Sequence, residues 1–403
     1  MTAASAPRGV VYLDHNATTP PAAEVVREMT DVLAHAWANP SSTHAPGQAA
    51  RRVLVDARAR IAASLGAQAQ ELVFTSGATE ANHQAVLGAL RARRAEGRSR
   101  LVLSAVEHPG LLALAARLRD EDGVPVDILP VDAQGRPDRA ALRALVRTDV
   151  ALVSVMGANN ETGVCMPLAD LAQAAHGVGA WLHVDATQLV GKAPVDFDRC
   201  PAQLMSVSAH KLYGPKGVGA LLVRKGLTLP ALLSGRQERQ RRGGTENLPA
   251  IAGFAAACER AIATLASDVE RMGRLRDRLE QALQAGLGGV HVYGQGSARL
   301  PNTSCLRFGD LPAEQVLARL ERAGIVASSG AACSAGGTQP SHVLLAMGAT
   351  AAHAKGGVRF SLGRDTTGAD IEQAITAALR VLAPLLPPAP ARPPTPFFLE
   401  HST

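Results

Sequence analysis

"LMSVSAHKLYGPKGVGALLV", residues 204–223, sets two β-rich runs on either side of a turn holding Ser208, His210 and Lys211. Working outward, five further short runs share that character: "ELVFT" (71–75), "LVLSA" (101–105), "VDILPV" (126–131), "ALVSVM" (151–156) and "WLHVD" (181–185). Between several of them lie amphipathic stretches at 109–119, 137–147 and 167–178. Strands that alternate with helices of 10–15 residues predict an α/β fold, a mostly parallel sheet of seven strands with helices on both faces. In such sheets ligands collect at the carboxyl ends of the strands, where the polar clusters of this chain fall.

After residue 245 the pattern changes. A long helical region (about 249–287) precedes "TSCLRF" (303–308), a helix at 312–323, the stretch "SSGAACSAGG" (328–337), "GGVRFSL" (356–362) and a last helix at 368–384. The expectation is a large α/β domain over 20–250 and a smaller α+β domain over 251–384, completed by residues 1–19. The proline-rich segment 385–403 is expected to be a disordered tail.

Composition removes several classes of function. A length of 403 residues suits two domains, and with aromatics at 3% the core must be aliphatic. The net charge of +6 is too small for this length to imply nucleic acid. The basic stretches "RARRAEGRSR" (91–100) and "RQERQRRGG" (236–244) also lack the interleaved aromatics that would stack on bases. The cysteines Cys165, Cys200, Cys258, Cys305 and Cys333 are odd in number and contain no CxxC pair. That argues against a disulfide framework or a cysteine-only zinc site, and for a reducing, cytoplasmic setting. The histidines show no HxH or HExxH spacing, so no metal site is expected. No apolar run approaches the ~18 residues of a membrane span, and "MTAASAPRGV" does not read as a signal peptide.

Four places carry chemistry. Lys211 follows a strand beside a hydroxyl and an imidazole, a fixed position of the kind a Schiff-base lysine needs. In "HVDATQ" (183–188), Asp185 emerges from a buried strand, where a carboxylate wants a cationic partner. A helix N-cap accounts for a lone aspartate there equally well. In "TSGATEANH" (75–83) the chain turns from strand to helix at Ser76, Gly77, Ala78 and Thr79, and N–H groups at such a start bind phosphate. Cys333 stands among small residues only, as a thiol on a loop would. His108 in "EHPG" (107–110) and Asn160 in "NNETG" (159–163) also directly follow strands.

Together with "YLDHNATTP" (12–20), "NPSSTH" (39–44), "FTSGATEAN" (74–82), "HVDATQLVGK" (183–192), "SAHKLYGPKGVG" (208–219), "RQERQRRGGTEN" (236–247), "SSGAAC" (328–333), "PSHVLLAMG" (340–348) and "VRFSLGR" (358–364), these motifs run in one order from about residue 11 to 375. In that order the chain resembles the cysteine desulfurases of the NifS/IscS type, in the class V aminotransferase-like, fold type I group of pyridoxal-phosphate enzymes. The spacing from Cys333 to Pro340 resembles the long-loop group I pattern. The family's usual "NNATT" reads "HNATT" here, with His15, and Ala331 replaces a serine of the cysteine loop.

The resemblance implies a role for each matching residue. Lys211 would hold pyridoxal 5'-phosphate as a Schiff base and move protons at the substrate Cα. Asp185 would pair with the pyridinium nitrogen, Gln188 would bond the phenolic oxygen, and His108 would stack on the ring as a possible acid or base. Ala78, Thr79, Ser208 and His210 would hold the phosphate, and Thr245 would reach the cofactor of the second subunit of a homodimer. Arg359, with Asn160 and Asn39, would clamp the carboxylate of L-cysteine, because a guanidinium fork matches a carboxylate. Cys333 would take the substrate sulfur as a persulfide for a sulfur-acceptor protein, leaving L-alanine. Iron–sulfur cluster assembly and tRNA thiolation are among the uses that family makes of such sulfur. A selenocysteine lyase, or an aminotransferase-like enzyme without need of the thiol, is the alternative.

Overall fold

The computed structural model describes residues 9–330 and 339–388. Cys333, Ala331 and the tail from residue 389 onward therefore lie outside the described residues. Thirteen strands are found among them. β1 is Val11–Tyr12, β2 Leu72–Thr75, β3 Arg100–Ser104, β4 Val126–Leu129, β5 Val150–Met156, β6 Trp181–Asp185, β7 Leu204–Ser208 and β8 Gly219–Val223. β9 is Val290–Val292, β10 Thr303–Phe308, β11 Ile325–Val326, β12 Ser328–Ser329 and β13 Val358–Ser361.

The large sheet runs β2-β8-β7-β6-β5-β3-β4. β8 is antiparallel to both β2 and β7, and every other pairing is parallel. Every residue of β5, β6 and β7 is buried, as strands covered on both faces require, so these runs are apolar rather than alternating. One face carries a cluster with Phe74, Val153, Val184, Met205 and Phe254, the other a cluster with Val73, Leu101, Leu103, Leu152 and Leu221. Because β2 is antiparallel to β8, and β8 to β7, the carboxyl ends of β2, β3, β5, β6 and β7 all point to one edge of the sheet.

The second sheet has the order β12-β13-β10-β9, all antiparallel, and its own core includes Leu306, Phe308, Phe360, Ile371 and Leu382. The N-terminal segment joins it: β1 pairs in parallel with β11, and Val11 and Leu13 belong to this second core. The last helix, Gly368–Leu382, starts in a capping box, where Thr367 Oγ1 accepts from the Asp370 amide and Asp370 accepts from that of Thr367.

The single helical region expected over 249–287 is instead two helices, Leu248–Ala263 and Leu265–Gly286, meeting at 70°. The first packs on helices Ala23–His35 and Ala45–Ser64, and its Ile251, Phe254 and Cys258 belong to the core of the large sheet. The second turns Leu279 and Leu283 into the small core. Apolar demand thus changes sides at Thr264, and the core of the large sheet extends past residue 250, where the sequence pattern put the boundary.

Candidate active site

The edge common to the five strand ends gathers most of the sequence-picked residues. β2 leads into Gly77, which caps the helix Ala78–Arg93 at φ +156°, a backbone that side chains rarely adopt. A Cβ on Gly219 would lie 2.8 Å from the Gly77 Cα, so Gly219 has no room for a side chain. Ser208 ends β7 with its Oγ turned to Gly77, 3.8 Å from where a Cβ there would sit. The result is a helix N-terminus with two backbones pressed together beside a hydroxyl, and Thr79 is exposed in its first turn. His210, in the short 3₁₀ turn Ala209–Lys211, meets Thr18 Oγ1 through Nδ1 at 3.1 Å. Burial and the charges of Lys211, Lys216 and Lys192 push its pKa down to about 4.

β3 leads to His108, which caps the helix Pro109–Asp120. Its Nδ1 accepts from the Gly110 amide at 3.1 Å, so that nitrogen carries no proton and the ring is the neutral Nε2–H tautomer. Its pKa is lowered by burial and by Lys211, against Asp185, so the charges of Lys211 and Asp185 both bear on this ring. Asp185 ends β6, where Oδ2 accepts from Asn82 at 2.7 Å and Oδ1 from the Thr187 amide at 3.0 Å. The Thr187 contact is the local turn geometry of an Asx motif. The Asn82 contact, 103 residues away, is tertiary and holds the carboxylate from the helix that starts at Gly77.

Asn16 is the centre of the second group. Its backbone oxygen accepts from Lys211 Nζ at 2.6 Å and from Gln188 Nε2 at 3.1 Å, and Ala17 O accepts from Lys211 at 2.7 Å. Its side-chain amide donates to the Asn160 carbonyl at 3.2 Å. Arg359, buried on β13, donates from Nη1 to that same carbonyl at 3.1 Å and from Nη2 to Asp14 Oδ1 at 2.6 Å. Asn160 therefore meets Arg359 through its backbone rather than its side chain. Asn39 and Thr245 are both exposed, and the Asn39 side chain accepts from the Ser41 amide.

Several contributors had no role assigned from sequence: Asp14, Asn16, Asn82, Glu107 and Glu161. Asn82 lies three residues after Thr79 on one helix, a spacing that puts both on one face. Asp14 and Asn16 flank His15 in "YLDHNATTP", but nothing local tells which of these polar groups turns inward. Glu107 is buried, accepts from Ser104 Oγ and the Met156 amide through Oε1, and leaves Oε2 without a partner among the described residues. Burial, despite those two bonds, lifts its pKa to about 8, so it is largely a neutral acid at pH 7. Burial also raises the Glu161 pKa, against Ser341, His342 and Arg359. Its Oε2 accepts from Ser341 Oγ at 2.6 Å and presses on Gly330, leaving no room for a Cβ there. One carboxyl group thus meets the chain on both sides of the segment that contains Cys333.

An anion cradle at a helix start, a buried carboxylate, a lysine and a buried guanidinium converge here, and among the described residues Arg359 Nε and Thr187 Oγ1 are buried without a partner. These residues fit pyridoxal phosphate: a cradle for its phosphate, Asp185 for its ring nitrogen, Lys211 for its aldehyde. Among the described residues no group of three or more His, Cys, Asp or Glu side chains is placed to hold a metal ion.

The class-V aminotransferase family model matches residues 11–374. The chain is 46% identical over 378 residues to a cysteine desulfurase of Cereibacter sphaeroides, covering 93% of this chain and 95% of that one. It is 45% identical over 379 residues to one of Rhodobacter capsulatus, covering 94% and 97%. Among solved structures, a NifS-like protein superposes with a TM-score of 0.87 at 32% identity, over 93% of this chain and all of that chain. SspA, solved in complex with cysteine, gives 0.77 at 30% identity over 88% and 99%. With matches of this length lying over the site just described, the chain belongs to the class-V aminotransferase family of pyridoxal-phosphate-dependent enzymes, among its cysteine desulfurases.

Proposed function

We propose that this protein converts L-cysteine to L-alanine and takes the sulfur as a persulfide on Cys333. The convergence of His108, Asp185 and Lys211 at neighbouring strand ends carries the reading, and a structural relative that binds cysteine supports it. Pyridoxal phosphate, when bound, supplies an electron sink that loosens the bonds at the substrate Cα and the Cβ–S bond. Lys211 Nζ anchors it and moves the Cα proton. The amides of Ala78 and Thr79, with Thr79 Oγ1, Ser208 and His210, hold the phosphate, and Asp185 keeps the ring nitrogen protonated. Gln188 would donate to the ring oxygen, and the neutral His108 ring would stack on the cofactor ring. Arg359 exchanges Asp14 for the substrate carboxylate, with Asn160 and Asn39 beside it. The Cβ–S bond of cysteine breaks, an S–S bond forms on Cys333, and a proton returns to Cβ to complete alanine. Thr245, exposed in one subunit, completes the phosphate site of the other in a homodimer.

The same reading takes residues 20–250 as the cofactor-holding domain and 1–19 with 251–384 as the domain that carries the cysteine loop. It also puts the protein in a reducing cytoplasm, delivering sulfur to an acceptor protein such as an iron–sulfur scaffold or a tRNA-thiolation carrier. The test is to supply L-cysteine and a reductant to the cofactor-loaded enzyme and assay alanine and sulfide, which should appear in equal amounts. Cys333→Ala should lose both products. If that variant works at the wild-type rate while Lys211→Ala is dead, the thiol is not used and a lyase or aminotransferase reading replaces this one.

A further inference from the structure

Lys192 is a second buried lysine in the site, and the mechanism above gives it no task. It is 6% exposed and among the described residues forms no ion pair. The charged groups acting on it are the cations Lys211 and Arg359, and it in turn acts on His15 and His210. With Lys211 and His15 it lines a single cavity of about 20 Å³. Burial and those two cations lower its pKa well below the usual lysine range. An amine so placed needs a reason, since a buried polar group costs stability unless it is bonded.

Among the described residues its side-chain bond is to Gln188 Oε1, at 2.5 Å. The Asn16 carbonyl can only accept, so it takes the amide nitrogen of Gln188, and the amide oxygen is the end that faces Lys192 and accepts from its amine. The amide nitrogen then has two hydrogens. One goes to the Asn16 carbonyl at 3.1 Å. The other remains to be presented to a ligand. A half-turned Gln188 would set its carbonyl against that of Asn16 and show a carbonyl where a donor is wanted; with Lys192 removed, one of the two contacts that oppose that turn is gone.

We propose that Lys192 is a positioning residue that locks the Gln188 amide, so that an N–H and not a C=O faces the ring oxygen of pyridoxal phosphate. This rests on the reading of Gln188 and Lys211 in the preceding subsection. A donor aimed at that oxygen favours its ionised form, so the lock lowers the pH at which the cofactor bound to Lys211 titrates.

The experiment is a pH titration of the visible absorbance of the cofactor-loaded protein. Lys192→Met should raise the midpoint by about one pH unit, the size of one hydrogen bond to a charged group. Lys192→Gln, which retains a donor of shorter reach, should fall between, and serves if the Met variant does not fold. Melting of the cofactor-free proteins provides the check on folding. The decisive comparison is a double-variant cycle. If Lys192 acts through Gln188, then Lys192→Met should shift the midpoint in the wild-type background and leave it unmoved in Gln188→Met. An equal shift in both backgrounds, or a Lys192→Met midpoint equal to wild type, overturns the proposal. Absence of a visible band from the wild-type protein after loading would overturn the reading of Lys211 and Gln188 instead.

Discussion

On the sheet side of the site, Asp185 ends a strand and His108 and Lys211 come within four residues of strand ends, and their places are set by backbone that is buried on both faces. On the facing side the Arg359 side chain is aimed from β13 by two contacts, Asp14 and the Asn160 carbonyl, and Gly330 and Ser341 both meet Glu161. Strand ends hold their groups through many shared backbone bonds, so a substitution there removes a function and leaves the frame. Lone contacts between elements far apart in sequence carry position itself, so a substitution there displaces what remains.

The contrast can be broken most sharply on the sheet side. Lys211→Ala should lower alanine formation by ~10³-fold or more and abolish the visible band of the bound cofactor, with the melting temperature nearly unchanged. A melt that collapses with the rate would mean that Lys211 is structural. On the facing side, Arg359→Met should raise KM for cysteine by about 10²-fold, the scale of a lost charge-assisted pair. A fall in kcat at constant KM would place Arg359 outside the carboxylate site.

Gly330→Ala should cost about 1–3 kcal/mol in denaturant unfolding, since a methyl group there runs into the Glu161 carboxyl. If stability holds, then the contact at Gly330 yields without effect. Glu107 sharpens the comparison through pH. Its folded pKa of about 8 lies above the ordinary 4.5, so its contribution to stability is complete at low pH and drains away as pH rises towards 8. Wild-type stability should therefore fall between about pH 5 and 8 more steeply than that of Glu107→Gln, which cannot ionise. Parallel curves would show that Glu107 is not held neutral. The smallest effect belongs to the exposed pair Arg278–Glu372, where Arg278→Ala should leave the denaturant midpoint at the wild-type value.

The seven runs of the large sheet were readable because each is a short apolar stretch bounded by turn residues, and all seven form strands of that sheet. His108, Asp185 and Lys211 were readable for the same reason: a polar residue that immediately follows such a run lies at the sheet edge whatever the rest of the chain does. The break at Thr264 was not readable, since both helices are apolar enough to continue one another and only the competition between two cores bends them. Asp14, Asn16 and Asn82 were not singled out either, because their partners are 103 to 345 residues away.

Local periodicity and short spacing thus determined the α/β architecture and the residues at the strand ends, and the order of motifs carried the resemblance that names the family. Only the tertiary structure decided that the Asn16 carbonyl is shared by Lys211 and Gln188, that Arg359 pairs with Asp14, and that Lys192 is buried against Gln188 with two other cations as its charged neighbours. These are long-range choices among polar groups of similar local propensity. Burial settles them, because each polar group taken from water must find its partner wherever the fold has brought one.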